Sequence, residues 1–304
     1  METSGITISA IVISYNTCSM TLDCLASLRA ALKGIPSEVI VVDNDSKDGS
    51  VAAIREKFPE VQLIESKSNS GFGAANNEAM RLAKGEAFLL LNSDAFPEET
   101  SIATLLAYLH EHPRVGVVGP RLLNGDGSLQ VSCHPFPSPL FAWRENLWLS
   151  TGYSRWAHDT VRSVDFLIGA CLLVRRATYE EVGGFDETFF MYSEEADWER
   201  RMRDAGWDRV FVPDARVTHL GGASGAKEEA RIRRHFFESL DHYERKHHGL
   251  AGLIAFRMAM VAGCAMRSIL WAAVSVLPPR REQALAKARK HSQLCLRQAF
   301  HWST

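Results

Sequence analysis

The chain has no closely spaced cysteine pair and none of the short motifs that announce a common catalytic site. Its six cysteines (18, 24, 133, 171, 264 and 295) never stand at CxxC spacing. That excludes a zinc ribbon or a thioredoxin-like motif and reads as free thiols of a cytosolic protein. HExxH, GxSxG and a Walker-type phosphate loop are all missing, so zincin, α/β-hydrolase and P-loop chemistry drop out. The N-terminal METSGITISAIVISYN lacks a basic n-region and a small-residue cleavage site, and its apolar run is too short for a signal peptide or a span. No internal repeat or low-complexity tract occurs. With 21 Gly, 11 Pro, 46% apolar and 23% charged residues in 304, disorder, collagen and a disulfide-dense mini-protein are excluded. Net charge is small, -2, but unevenly spread: residues 1–226 hold 20 Lys and Arg against 30 Asp and Glu, whereas residues 227–304 hold 14 against 6. The acidic part argues against nucleic acid as a partner; the basic part points to an anionic surface.

Short β-branched runs alternate with helical periodicities through the first third of the chain. Strands are predicted over 6–14, 38–43, 61–65 and 87–91, and helices over 21–32, 50–58 and 71–83. This alternation implies a parallel sheet covered on both faces, with ligands outside the carboxyl ends of its strands. Two polar clusters, 43–48 and 92–94, fall at such ends. Pro97 is expected to open a helix. Further on, 115–118 reads as a strand, 133–160 as a long irregular insertion with three Pro and three Trp, and 164–174 as a strand or buried segment. Residues 178–182 and 193–205 read as helices, the second N-capped by Ser193; 210–212 and 215–218 read as separate strands, 221–225 as a loop, and the remainder as helical.

Five constellations bear on chemistry. Asp43 ends the strand EVIVVD, where a carboxylate can accept from a base imide or a ribose hydroxyl; the alternative is a turn-forming Asp. Asn69-Ser-Gly-Phe-Gly-Ala-Ala-Asn-Asn77 places two glycines before a helix, which lets backbone approach a phosphate or sugar closely. It is not the dinucleotide fingerprint, for it lacks the third glycine and its strand-end Asp precedes the glycines. Asn92-Ser93-Asp94 follows an apolar strand, where Asp94 can hold Mg²⁺ or Mn²⁺ with phosphate completing the shell, or simply form an Asx turn. Glu194, Glu195 and Asp197 crowd a helix start; the dipole welcomes acidic residues there, yet three are more than it requires. On the helix Glu194 and Asp197 share a face and Glu195 points roughly 100° away. His219 ends a strand before Gly221-Gly222, where a neutral imidazole can ligate a metal beside a carboxylate or hydrogen-bond in a loop.

Taken in order, IVISYN, EVIVVDNDSKDGS, NSGFGAANN, LLLNSDA, GFDETFFMYSEEADWERRMRDAGW and VTHLGGAS resemble the inverting family 2 glycosyltransferases, and most of all their bacterial rhamnosyltransferase-like branch, over residues 6–226. The resemblance implies an α/β GT-A fold (a nucleotide-diphospho-sugar transferase with a Rossmann-like mixed sheet) over 1–226, with a helical C-terminal extension over 227–304. It further implies that Ser14, Tyr15, Asn16, Asp43, Asn69, Asn77, Asn92 and Ser93 serve the nucleotide-sugar donor. Asp94 and His219 would hold Mg²⁺ or Mn²⁺, Gly169 and Ala170 would border the acceptor, and Glu195 would be the catalytic base, with Glu194 and Asp197 as alternatives. Two positions depart from the family pattern: Asn92 stands for the first Asp of DxD, and Glu195 stands where Asp is usual.

The expected reaction is one in-line displacement at the anomeric carbon, from a donor best guessed as dTDP-rhamnose to a hydroxyl of a glycan or polyprenyl-linked acceptor. The competing classes are a nucleotidyltransferase and a non-catalytic GT-A scaffold. Residues 249–279 are apolar but interrupted by Arg257 and Arg267, and the longest uncharged run, Ser268–Pro279, has 12 residues. That is short of the roughly 20 needed to span. A helix lying in an anionic membrane interface is expected, with Lys and Arg nearby meeting lipid and the enzyme peripheral at the cytoplasmic face. A helix packed on the catalytic part or in a homo-oligomer is the alternative.

Overall fold

Four apolar runs too short for helices build the centre of the sheet: β1 (Ile8–Ser14), β2 (Ser37–Asp43), β3 (Gln62–Glu65) and β4 (Ala87–Asn92). Helices α1 (Cys18–Ala31), α2 (Ser50–Lys57) and α3 (Phe72–Leu82) connect them. Each crossover returns the chain to the same edge, so all four strands run parallel. The computed structural model describes residues 5–147, 156–221, 229–276 and 281–300. The chain divides into two units, residues 1–136 with 153–236, and residues 137–152 with 237–304.

In the first unit the strand order is β3-β2-β1-β4-β11-β6-β12-β5. Here β5 is Ala95–Pro97, β6 is Val115–Leu123, β11 is Cys171–Arg175 and β12 is Asp208–His219. The sheet is mixed: β11 runs antiparallel to both β4 and β6, and β12 is parallel to β6 but antiparallel to β5. Strand alternation sends neighbouring side chains to opposite faces. Ala10 and Val12 pack with Leu25 and Leu28 of α1 and with Leu105 of α4 (Ser101–Glu111). Ile11 packs with Ala79 and Met80 of α3 and with Trp198 and Met202 of α7 (Glu194–Asp204). Register aligns Ile13 with Asn92 and Ser14 with Asp43. The loops after β1, β2 and β4 therefore leave the sheet at one edge.

Several local expectations change. Pro97 closes β5, and α4 starts at Ser101. Phe96 and Pro97 pair with Thr218 and Val217, because an edge strand tolerates a proline. The two strands expected over 210–218 form one, β12, whose register slips between Val212 and Arg216. Short strand β7 (Leu129–Gln130) precedes the insertion, which contains β8 (Cys133–His134) and helix α5 (Pro139–Asn146) and is followed by β9 (Arg162–Ser163) and β10 (Phe166–Leu167). Ser138 caps α5 by accepting from the Phe141 N–H at 3.2 Å. Residues 148–155 of the insertion and 222–225 of the expected loop lie outside the described residues. Between β11 and α7 lies α6 (Arg176–Val182).

The second unit is helical, built from α5, the part of α8 (Glu229–Val274) beyond residue 236, and α9 (Arg281–Phe300). Gly249, at φ 67° and ψ -174°, breaks α8. Ala142, Phe256 and Ala259 form a small core with Trp143, Leu240 and Met260 around them. Arg257 and Arg267 turn inward: Arg257 Nε donates to Asp241 Oδ1 at 3.0 Å, and Arg267 Nη1 to Asn146 Oδ1 at 2.7 Å. The two arginines that interrupt the apolar segment are thus held by side chains of this unit. Leu250, Ile254, Met258, Ile269, Leu270 and Val276 are left exposed. Residues 277–279 of the expected interfacial segment lie outside the described residues.

Candidate active site

A cavity of about 360 Å³ opens at the carboxyl ends of β1, β2 and β4. Tyr15 and Thr17 follow β1, Asn44 follows β2, Asn92 ends β4, and Ser93 and Asp94 follow it. Gly169 and Ala170 precede β11, His219 ends β12, and Glu194 and Glu195 open α7. Asp94 and Glu195, far apart in sequence, thus line one cavity.

The loop bearing Asn69 is braced from β2. Asn44 Nδ2 donates to Asn69 Oδ1 at 2.9 Å and its Oδ1 accepts from the Ser70 N–H at 3.1 Å. Asn69 Oδ1 also accepts from the Gly71 N–H at 3.0 Å. Gly71 has φ +87°, and a Cβ there would lie 2.2 Å from the Phe190 carbonyl oxygen. The first glycine of the motif thus lets two protein backbones meet, where the sequence pointed to backbone meeting ligand. The Phe72 N–H donates to that same carbonyl at 3.1 Å.

Phe190 leads into a strained turn. Tyr192 and Ser193 both occupy the left-handed region, at φ 69° and 62°, which costs a non-glycine residue of order 1 kcal/mol or more. Ser193 precedes α7 but makes no side-chain capping bond. The turn instead aims the first two residues of α7 at the cavity. Glu194 and Glu195 hydrogen-bond each other, and Glu195 also accepts from the Gly169 N–H. Burial pushes the Glu194 carboxyl well above its ordinary value, and the Glu195 charge adds to the shift. Burial raises Glu195 too, while the Gly169 N–H and the Glu194 hydrogen bond favour its ionised form. Two charges side by side in this buried place are disfavoured, so the pair holds a proton between its carboxyls. Glu195 Oε2 is buried without a hydrogen-bond partner. The Tyr192 phenol at the rim is raised by burial and then by both carboxylates.

Asp94 Oδ1 stands 3.3 Å from His219 Nε2, and Asn92 Nδ2 stands 3.4 Å from the same nitrogen. Among the described residues no cluster of three or more His, Cys, Asp or Glu could cage a metal. One carboxylate with one imidazole fits a divalent ion that takes most of its shell from phosphate and water. Asn92 brings an amide where a second carboxylate would add charge.

Other expected site residues take supporting positions. Asp43 is buried behind the cavity wall, its Oδ1 accepting from the Ser46 N–H at 2.9 Å and its Oδ2 unpartnered. Ser14 Oγ pairs with Thr21 Oγ1 at 2.9 Å. Asn16, left-handed at φ 53°, ties the first loop to the second by accepting from the Lys47 N–H at 2.7 Å. Asn77 reaches away from the cavity, donating to the Phe185 carbonyl at 2.9 Å and accepting from the Phe185 N–H at 2.8 Å. Asp197 does not join Glu194: it is fully buried and accepts from Arg201 Nε at 3.0 Å, while Arg201 holds the Val182 and Gly184 carbonyls. That anchoring places its carboxylate on Arg201, away from the residues that line the cavity. Sequence reasoning missed Asn44, Tyr192, Arg231 and His235 on the cavity; Asn44, inside the DNDSKDG cluster, and Tyr192, beside Ser193-Glu194-Glu195, carried a local signal.

Similarity to known proteins agrees with this layout. The chain is 34% identical over 226 residues, 68% of its own length and 73% of the relative's, to N-acetylglucosaminyl-diphospho-decaprenol L-rhamnosyltransferase of Mycobacterium tuberculosis. In structure it is similar to the Pyrobaculum calidifontis mannosyltransferase PcManGT solved with GDP-Man and Mn²⁺, at TM-score 0.62 and 20% identity over 96% of this chain and 87% of that one. It is also similar to residues 1–349 of S. aureus TarS, at TM-score 0.54 and 17% identity over 98% and 93%. These structural likenesses establish the GT-A fold. Residues 9–199 match the model for glycosyl transferase family 2, and the chain belongs to that family.

Proposed function

We propose that the chain is an inverting, metal-assisted glycosyltransferase with Glu195 as its base and Asp94 and His219 as its cation pair. The carrying observation is that Asp94 and Glu195, from different parts of the fold, line the same cavity. An acceptor hydroxyl attacks the anomeric carbon as the bond from that carbon to the diphosphate oxygen breaks. The hydroxyl proton passes to Glu195 Oε2, whose free lone pair faces no protein donor. Glu194, protonated, keeps its neighbour ionised and oriented. A divalent cation bound at Asp94 and His219 would offset the charge growing on the departing nucleoside diphosphate. Asn44, Asn69 and Tyr15 shape the donor side, and Gly169 and Ala170 the acceptor side.

The name of the mycobacterial relative supports a rhamnosyl donor, which we take to be dTDP-rhamnose, and a polyprenyl-diphosphate-linked N-acetylglucosamine as acceptor. Cell-surface polysaccharide synthesis is the process that fits. A lipid-linked acceptor also favours a peripheral place at the inner face of the cytoplasmic membrane. The inward-turned arginines and outward apolar residues of α8 support the interfacial reading. By length and composition α8 is also apolar enough to cross a bilayer, but its apolar stripe faces out on one side, as an interfacial helix requires.

The test is a panel of nucleotide sugars with Mg²⁺ or Mn²⁺ and a polyprenyl-linked acceptor, scored by nucleoside diphosphate release and product anomer. dTDP release with inversion is expected. Pyrophosphate release would identify a nucleotidyltransferase, and donor binding without turnover a scaffold; either result overturns the reading.

A further inference from the structure

The hairpin turn joining β6 to β7 carries a run of hydrogen bonds that ends on His219. Its polarity is fixed at the far end. Asp126 is a carboxylate, held below the usual range by the Ser128 hydroxyl and backbone N–H. It can only accept, and the Ser128 hydroxyl donates to its Oδ1 at 2.6 Å. That uses the only Ser128 hydroxyl proton, so Ser128 Oγ accepts from Asn124 Nδ2 at 2.9 Å. Asn124 Nδ2 also leans on the Leu129 carbonyl at 3.4 Å. Asn124 Oδ1 then faces Gln130 and accepts from its Nε2 at 3.0 Å. Gln130 Nε2 donates as well to the His219 carbonyl at 3.2 Å. The Gln130 amide is thereby locked with Oε1 toward the imidazole, 2.7 Å from His219 Nδ1.

An amide oxygen accepts and cannot donate, so Nδ1 carries a hydrogen. In the neutral ring Nε2 is then bare, and Nε2 is the atom 3.3 Å from Asp94 Oδ1. We propose that Gln130, oriented by Asn124 and the Ser128–Asp126 pair, is a positioning residue that holds His219 in the Nδ1–H tautomer, presenting the Nε2 lone pair to a divalent cation beside Asp94. The proposal rests on the reading of Asp94 and His219 as a cation pair. Without an acceptor at Nδ1, a neutral imidazole divides between its tautomers, and the Nε2–H form cannot ligate through Nε2.

The full chain labelled with ¹⁵N-histidine is examined by NMR at about pH 8.5, above the ordinary imidazole pKa, with the His219 signals assigned by their loss in H219A. A protonated Nδ1 and an unprotonated Nε2 are expected. Gln130→Leu should move the signals toward Nε2–H and weaken Mn²⁺ binding about 10–100-fold in the presence of dTDP, read by electron paramagnetic resonance of free Mn²⁺. Asn124→Leu, two side chains from Nε2, should shift the signals the same way by less. Nε2–H in the unaltered protein overturns the proposal, H219A serving there only to assign the signals. An unchanged tautomer in Gln130→Leu also overturns it, even where Asp94→Asn loses Mn²⁺ affinity and so upholds the cation pair. The expected tautomers with Mn²⁺ affinity unaltered in both H219A and Asp94→Asn overturn the cation pair itself.

Discussion

Replacing Gly71 by alanine should damage stability and turnover together, through one contact. The added Cβ would lie 2.2 Å from the Phe190 carbonyl oxygen and 3.0 Å from its carbon, both backbone atoms with no rotamer to yield. Even a tight separation of about 3.2 Å requires residue 190 to retreat by about 1 Å. Gly71 also holds φ 87° and ψ 178°, a region that is essentially glycine-only and costs another residue about 1–3 kcal/mol. Overpacking adds about 1–3 kcal/mol. Against a total stability of about 5–15 kcal/mol, a midrange sum near 4 kcal/mol lowers Tm by about 10 °C at roughly 2–4 °C per kcal/mol. The retreat also lengthens the Phe72 N–H bond to the Phe190 carbonyl and drags the turn that ends at Glu194 and Glu195. A misplacement of about 1 Å at a reacting group costs about 10²-fold in rate. Scanning calorimetry and steady-state nucleoside diphosphate release at a temperature well below both midpoints measure the two effects. Wild-type turnover in a Gly71→Ala protein, whatever its Tm, would refute the claim that this approach sets the position of the carboxylates.

The carboxyl pair should separate by substitution. Glu195→Gln is expected to lower kcat about 10²–10⁴-fold, and Glu194→Gln, which keeps a donor toward Glu195, by less than about 10-fold; equal losses would refute the division of labour. Because Glu194 binds its proton more tightly in the folded chain than in the unfolded one, its burial costs stability as pH rises from the ordinary value of 4.5 through the raised folded value. The Tm of Glu194→Gln relative to wild type should therefore climb with pH, and a difference that does not vary with pH counts against the assignment. On α8, Ile254→Gln with Met258→Gln and Ile269→Gln should reduce sedimentation with anionic vesicles without altering far-UV circular dichroism. Unchanged partitioning would remove the interfacial reading.

Much of the N-terminal half of the sheet was legible because its signals are local. The runs at 8–14, 37–43 and 87–92 are short and apolar, and the polar clusters at 43–48 and 92–94 mark the strand ends that register brings to one edge. The ordered motif string was enough for the family. Fine assignments suffered where a residue's partner is remote. Asn77 belongs to the Gly/Asn motif in sequence, yet residue 185 claims its side chain. Asp197 looked like a third candidate base until Arg201, one turn on, proved to hold it. Helical geometry alone paired Glu194 with Asp197, whereas the left-handed turn at Tyr192 and Ser193 brings Glu194 and Glu195 together.

Periodicity and strand-end chemistry, both carried by neighbours in the chain, were sufficient for the α/β architecture and for the edge of the sheet where the cavity opens, while the family rested on the resemblance of the ordered motifs. The joining of Asp94 to Glu195 in one cavity, the burial of the two glutamates against each other and the hydrogen bond between Gln130 and His219 came only from folding. Each depends on groups tens of residues apart that meet across strands, and burial and hydrogen-bond direction, which decide charge and tautomer, exist only once those groups have met.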